Sequence, residues 1–216
     1  MGTAHVRFQE LEERRLLTSK YATWRCMFKM IRPATPDDAK ACVPLIDIVF
    51  EEMEIPALMK LPKSQLYPVF EQAFLLEDYR YGWPQTFVHE TEGKVDGILV
   101  GYPHDKEDHI DDVFQPLLPK VGLPETQELF PDTETYTGEW YVDTLAVAES
   151  AQGHGIGTEL LKGVEPLLHK CGESLLSLNV DQANPRAEKL YTRVGYHKNG
   201  ELMIGSHRYN HMIKEI

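Results

Sequence analysis

Residues 151–158, Ala151-Gln152-Gly153-His154-Gly155-Ile156-Gly157-Thr158, place three glycines just ahead of a helix pattern. That pattern carries Leu160, Leu161, Val164, Leu167 and Leu168, which fall on one helix face. Glycine lets a backbone approach a ligand closely and take positive φ. The first N–H groups of a helix have no internal acceptor, and the helix dipole favours an anion beside them. The stretch from Gln152 to Thr158 therefore suits a diphosphate. The P-loop pattern fails, because Lys162 precedes Gly163 and no Gly-Lys-Ser/Thr exists. The dinucleotide fingerprint G-x-G-x-x-G fails at Gly157, one residue early, although Asp181 imitates its ribose-binding acid. A glycine turn that binds nothing stays open from this segment alone.

A second chemistry-bearing segment runs from Asn184 to Tyr196. Asn184 reads as an N-cap, Pro185 as the first helical residue and Gly195 as the stop. Ala187, Leu190, Tyr191 and Val194 share one face, so Tyr191 is expected to point inward, where its hydroxyl needs a partner. On the preceding strand, simple alternation puts Glu139, Tyr141, Asp143, Leu145 and Val147 on one face.

The elements that must hold these residues follow from periodicity. A first strand starts at Met30, and Thr35-Pro36-Asp37-Asp38 reads as a capped helix start. The helix that follows runs towards Glu54, and Pro44 is expected to kink or break it. A second helix is expected over 64–78. Strands at 86–90 and 94–102 form a hairpin around Glu92-Gly93. The Pro- and acid-rich stretch 103–137 is too long for a plain loop in a compact domain, and a short helix fits near 113–121. The last third alternates: strand 139–148, helix 156–170, strand 174–180, helix 185–194, and strands near 196–203 and 206–213. Pro166 predicts a kink or early end for the first of those helices. Alternating strands and helices imply an α/β sandwich on a mixed sheet.

The 216 residues suit a domain over 30–216 with an extension over 1–29. That extension holds the mixed-charge run Gln9–Leu17, Trp24 and Met27-Phe28-Lys29-Met30. Packing on the domain, packing on a partner subunit as in a homodimer, and no role are all open for it. The net charge of −12 repels nucleic acid and anionic membranes and attracts cations. No stretch approaches the ~20 apolar residues of a membrane span. Three cysteines, Cys26, Cys42 and Cys171, without a C-x-x-C pair, point away from disulfides and zinc and towards a reducing cytoplasm. Cys171 is expected to be buried packing. The cluster His104 to Asp112 has no metal-ligand spacing and reads as a solvated acidic loop. His207 and His211 share a strand face without a metal role, so no metal is expected.

Two segments carry a family resemblance. Gln152-x-x-Gly155-x-Gly157 matches the Q/R-x-x-G-x-G/A signature of the GNAT superfamily of N-acetyltransferases. Asn184-x-x-Ala187-x-x-Leu190-Tyr191-x-x-x-Gly195-Tyr196 resembles that family's second recurring segment, and Trp140 to Val147 its central strand. The resemblance covers 138–200 by motif and 30–137 by element order. It implies an α/β (α+β) fold with a mixed sheet of about seven strands flanked by helices, splayed in a V between the fourth and fifth strands. It also implies acetyl-CoA as co-substrate in that split. Backbone groups of Leu145, Ala146 and Val147 would hold the pantetheine arm as an added strand. The N–H groups of Gln152, Gly153, His154, Gly155, Ile156, Gly157 and Thr158 would hold the pyrophosphate. Asn184 would meet the pantetheine, and Tyr191 would lie near the thioester sulfur.

The implied reaction is direct acetyl transfer to a primary amine of a small molecule or peptide, with no acyl-enzyme. A lysine-like ammonium (pKa ~10.4) must lose a proton before it attacks. The resemblance puts that base on the central strand, with Asp143 and Glu139 as candidates and Tyr141 as a lining of the acceptor pocket. Tyr191 would protonate the departing thiolate, and a backbone N–H near Leu145 or Ala146 would meet the oxyanion. The alternative is a non-catalytic regulatory module that still binds acetyl-CoA.

Overall fold

The computed structural model describes residues 30–216. The extension 1–29, with its mixed-charge run, Trp24 and Cys26, lies outside the described residues. Seven strands, β1 (Met30–Pro33), β2 (Thr86–Thr91), β3 (Lys94–Pro103), β4 (Trp140–Val147), β5 (Leu175–Asp181), β6 (His197–Ile204) and β7 (His207–Glu215), form one sheet. Its order is β1-β2-β3-β4-β5-β7-β6. Only β4 and β5 run parallel, so the sheet is mixed. The β2–β3 hairpin turns on Glu92 and Gly93, both at positive φ.

Among the described residues, four α-helices cover the faces: α1 (Ala39–Glu52), α2 (Lys63–Phe74), α3 (Ile156–Lys170) and α4 (Pro185–Arg193). The Thr35 N–H donates to Asp38 Oδ2 at 2.7 Å, closing the expected start as one 3-10 turn ahead of α1. One core packs α1 and α2 against Val88, Ile98, Val100 and Ala146. The other packs α3 and α4 against Leu99, Val142, Leu176, Leu178 and Met212.

The prolines do less than expected. α1 runs unbroken through Pro44, and α3 through Pro166. Pro44 and Pro166 both face solvent, as do Lys40 and Lys162 four residues earlier, so water can serve the carbonyls that lose their N–H partners. The second helix ends at Phe74, four residues short of the expected limit.

The acid-rich stretch holds two 3-10 helices, His104–His109 and Asp112–Val121. It is not uniformly solvated. Glu107 is buried and accepts from the Glu134 N–H (2.7 Å) and the Thr135 hydroxyl (2.6 Å). Cys171 is exposed rather than packed, because it caps α3 beyond the last buried residue, Leu168. Cys42 is buried in α1.

The alternation along β4 also breaks. Gly101 faces Val142 while Val100 faces Thr144, which leaves Asp143 as an extra residue, a β-bulge. Tyr141 and Asp143 lie on the α1 side, and past the bulge Ala146 joins the α1–α2 core. Leu145 and Val147 pack instead with α3 and α4, so they do not share a face with Tyr141. Gly101 is required opposite the bulge: a Cβ there would lie 2.3 Å from the Trp140 ring and 2.4 Å from the Tyr141 carbonyl.

Candidate active site

β4 and β5 pair only through Trp140–Leu176, Tyr141–Ser177 and Val142–Leu178. The pairing stops at the bulge. Beyond it β4 stays paired to β3 as far as Val147 but has no β5 partner. The sheet is thus split, and the edge of β4 from Thr144 to Val147 offers its backbone groups to the opening. An extended ligand arm can occupy such an edge as an added strand.

The glycine turn closes one end of this split. Gly153 and Gly155 hold φ of 81° and 87°. The Glu159 N–H bonds to the Gly155 carbonyl at 3.0 Å, so the N–H groups of Ile156, Gly157 and Thr158 precede the first helical bond. Gln152 and His154 are exposed. The Gln152 amide donates to the Val147 carbonyl at 3.3 Å, tying the turn to the end of β4. Ile156 is buried, and Gly157 sits where a Cβ would meet Leu190 at 3.5 Å and Leu145 at 3.6 Å. Glu159, in the first turn of α3, meets Nε2 of buried His89 at 3.0 Å, and the other ring nitrogen of His89 meets Asp96. This clamp fixes the helix N-terminus on β2 and β3. Arg193, which the sequence reading passed over, donates to Thr158 Oγ1 at 3.4 Å and adds a cation beside the turn.

Gly155→Ala tests the turn in isolation. The nearest atom to an added Cβ is 4.0 Å away, so the substitution brings left-handed strain without a clash. It is expected to cost about 1–2 kcal/mol and to weaken acetyl-CoA binding roughly tenfold, read by calorimetric titration. Unchanged affinity would show that the turn is not part of the donor site.

Asn184 caps α4, its Oδ1 accepting the Ala187 N–H at 3.1 Å. Tyr191 is half-buried in the α3–α4 core, in edge contact with Tyr196 at 6.2 Å. Its hydroxyl finds no hydrogen-bond partner among the described residues, contrary to the expectation for an inward Tyr. Burial pushes its pKa up to about 12, with a smaller contribution from the Glu52 carboxylate. Glu52 ends α1, on the opposite side of the sheet, so its field reaches Tyr191 across the split. Tyr209, the β7 partner of Asp181, is likewise raised to about 12, by burial first and then by Asp181, Glu134 and Glu52.

The α1 side of the split holds a buried polar network. Arg80 is 1% exposed. Its Nε donates to Asp111 Oδ2 (3.0 Å), and its Nη1 to Asp143 Oδ2 (2.9 Å) and the Tyr102 hydroxyl (2.6 Å). Its guanidinium also lies 4.9 Å from the Phe130 ring centre. Asp143 additionally accepts from the Tyr102 hydroxyl (3.2 Å) and the Thr144 hydroxyl (3.0 Å). Glu139 accepts from the Tyr136 N–H (2.9 Å) and meets His211 Nε2 (3.0 Å). His207 meets Asp181 at 3.0 Å. Asp143 and Glu139, the two carboxylates named from the sequence, are therefore both engaged in hydrogen bonds.

Glu134 was not foreseen. It is buried, its Oε2 accepts from the Tyr141 hydroxyl at 2.6 Å, and its Oε1 is 3.8 Å from Arg80 Nη1. Burial, then repulsion from Asp143, raises its carboxyl to about 7, against the pull of Arg80 and the Tyr141 hydrogen bond. It sits in the irregular stretch before β4, where no periodicity marks a side chain as inward.

A mixed sheet opened between its fourth and fifth strands in this way, with a glycine-turned helix at one end, is the arrangement the GNAT resemblance implies. The chain belongs to the acetyltransferase (GNAT) family, whose sequence model matches residues 55–196. It is 34% identical over 93 residues to a spermine/spermidine N(1)-acetyltransferase of Bacillus subtilis (strain 168), a match over 41% of this chain that spans 59% of that relative's length. It is similar to the crystal structure of an acetyltransferase (38% identity, TM-score 0.79, covering 87% of this chain and 99% of that one). It is also similar to an N-acetyltransferase from Staphylococcus aureus Mu50 (30%, TM-score 0.75, 86% and 100%). Members of this family use acetyl-CoA as co-substrate. No helix among the described residues is long and apolar enough to cross a membrane.

Proposed function

We propose that the chain transfers an acetyl group from acetyl-CoA to a primary amine by direct attack in a ternary complex, within a domain spanning 30–216. One observation carries the reading: the unpaired β4 edge leads straight into the glycine turn, with Tyr191 at the same opening. The pantetheine arm runs along Leu145, Ala146 and Val147, and Asn184 flanks it. The pyrophosphate lies on the N–H groups from Gln152 to Thr158, Gly153, His154, Gly155, Ile156 and Gly157 among them. A backbone N–H near Leu145 or Ala146 meets the oxyanion. Tyr191, a neutral phenol at any working pH, gives its proton to the departing thiolate.

The acceptor is a cationic amine. Glu52, Asp181 and Glu134 act on Tyr209 beside the split, and the chain carries a net −12. A polyamine fits that description, and the Bacillus subtilis relative is a spermine/spermidine N(1)-acetyltransferase. Asp143 and Glu139 stand as candidate proton acceptors. To serve, Asp143 must loosen Arg80 and Tyr102, and Glu139 must loosen His211 and the Tyr136 N–H.

CoA release with a panel of polyamines, amino acids, aminoglycosides and peptides tests the reading. Turnover with a polyamine supports it. Acetyl-CoA binding without turnover on any amine would favour the regulatory module. Tyr191→Phe is expected to lower kcat about 10²–10³-fold while acetyl-CoA affinity holds, and an unchanged kcat would remove Tyr191 from the chemistry.

A further inference from the structure

The polar network contains a proton path that needs neither Asp143 nor Glu139. Tyr141 is the middle of the three β4 residues paired to β5, and it packs with Tyr102 and Ile110 on the α1 side. Its hydroxyl donates to Glu134 Oε2 (2.6 Å) and accepts from Asn179 Nδ2 (3.2 Å). Asn179 is the first β5 residue past the paired run, and it is half-exposed. The hydroxyl is thus bonded to a buried carboxylate on one side and to half-exposed Asn179 on the other; Tyr141 itself is 2% exposed, so an acceptor reaches the hydroxyl by displacing the Asn179 amide.

We propose that Tyr141 takes the proton from the acceptor ammonium and passes its own to Glu134, which is the proton sink of the transfer. The inference rests on the acetyltransferase reading. In the step, an ammonium N–H breaks, its proton goes to Tyr141 Oη, and the original Oη proton goes to Glu134 Oε2. The amine becomes neutral, Tyr141 is unchanged, and Glu134 becomes a carboxylic acid that later releases the proton to water. The amine then attacks the thioester; as the C–S bond breaks, Tyr191 gives its proton to the thiolate, and the second proton leaving the new amide nitrogen passes through water to restore the Tyr191 phenol.

Three features suit Glu134 to this task. Its carboxylate is not closed in a tight ion pair, since Arg80 is spent on Asp111, Asp143 and Tyr102 and stands 3.8 Å off. It is fixed from behind, as its N–H donates to Glu107 and its carbonyl accepts from Asn179 Nδ2 at 2.8 Å. Its proton affinity, near 7, lies close to working pH, where general bases are most effective. Besides burial, the groups that set this value are Asp143 on β4, Arg80, Tyr141 on β4 and Glu107 in the first 3-10 helix of the acidic stretch; Tyr81, Tyr102 on β3 and Tyr209 on β7 also feel the Glu134 charge. Tyr141 itself is held well above the ordinary tyrosine range by burial, so it relays as a neutral hydroxyl.

The test compares wild type, Glu134→Gln and Tyr141→Phe in kcat/KM across pH and across primary amines of different basicity. Acetyl-CoA titration alongside checks that each variant is folded. For an amine of pKa ~10 at pH 7, both variants are expected to lose at least ~100-fold. Their rates should then climb with the free-amine fraction as pH rises. For amines of pKa below ~7, which arrive neutral, the loss should shrink to under ~10-fold. A loss of equal size for basic and weakly basic amines, in variants that still bind acetyl-CoA, overturns the relay while leaving the transferase intact. Wild type that acetylates no amine at all overturns the transferase reading and the relay together. Should Glu134→Gln fail to bind acetyl-CoA, Tyr141→Phe decides by the same two amine classes.

Discussion

Arg80→Met is expected to cost about 3–5 kcal/mol of folding free energy, the range for removing one partner of a buried ion pair. The side chain is 2% exposed and stands among Asp111, Asp143 and Glu134. Methionine matches much of its volume, so packing on Phe130 and Tyr102 is largely kept and the loss is electrostatic. Asp143, 3% exposed, would be left buried without its cation. At roughly 2–4 °C per kcal/mol for a chain of this size, Tm should fall by about 10 °C. Arg80→Lys should recover little, because one ammonium cannot reproduce the fork that reaches Asp111 on one edge and Asp143 on the other. Urea denaturation at pH 7 measures both. A cost under about 1 kcal/mol for Arg80→Met would mean that the carboxylates take up protons and relax, and the network would not be the structural hinge of the α1 side.

This network was largely hidden in the sequence, while the donor side was plain. The turn from Gln152 to Thr158 and the cap at Asn184 are local devices. A few neighbouring residues fix the backbone there, so their types announce the geometry. Arg80 and Glu134, in contrast, are 54 positions apart and lie in irregular segments, where burial leaves no period to read. The one local sign was composition: an arginine between Tyr79 and Tyr81, followed by Gly82 and Trp83, is a charge set in an aromatic run. The bulge at Asp143 was hidden for another reason. A strand with one extra residue still alternates in its letters, and only the partner strand, through Gly101 and Val100, reveals the slip. That slip decides which side chains face the acceptor and where β5 departs, so the central geometric event of the site left no sequence mark. Pro44 and Pro166 erred the other way. Both announce a break that solvent exposure of the preceding turn makes unnecessary.

Glu134→Gln should change stability in the opposite sense to Arg80→Met, and with a pH signature. The Glu134 carboxyl ordinarily titrates near 4.5 and in the fold near 7. The folded chain therefore holds this proton more tightly than the unfolded chain does. The stability linked to it is whole below pH 4.5 and is lost as pH rises through 7. Glutamine carries no such proton, keeps an oxygen for the Tyr141 hydroxyl, and escapes the loss. The variant should match wild type near pH 4.5, gain on it steadily to pH 7, and hold a constant advantage above. The gap from 4.5 to about 7, at about 1.36 kcal/mol per pH unit, puts that advantage on the order of 3 kcal/mol. Paired urea titrations at pH 5 and pH 8 measure it. A difference that stays flat between the two would mean that Glu134 titrates like an ordinary carboxylate, and its fitness as a proton sink would go with it. A variant that is firmer than wild type at pH 8, yet slower on basic amines, would show why the chain keeps an ionisable group in a place where ionisation weakens the fold.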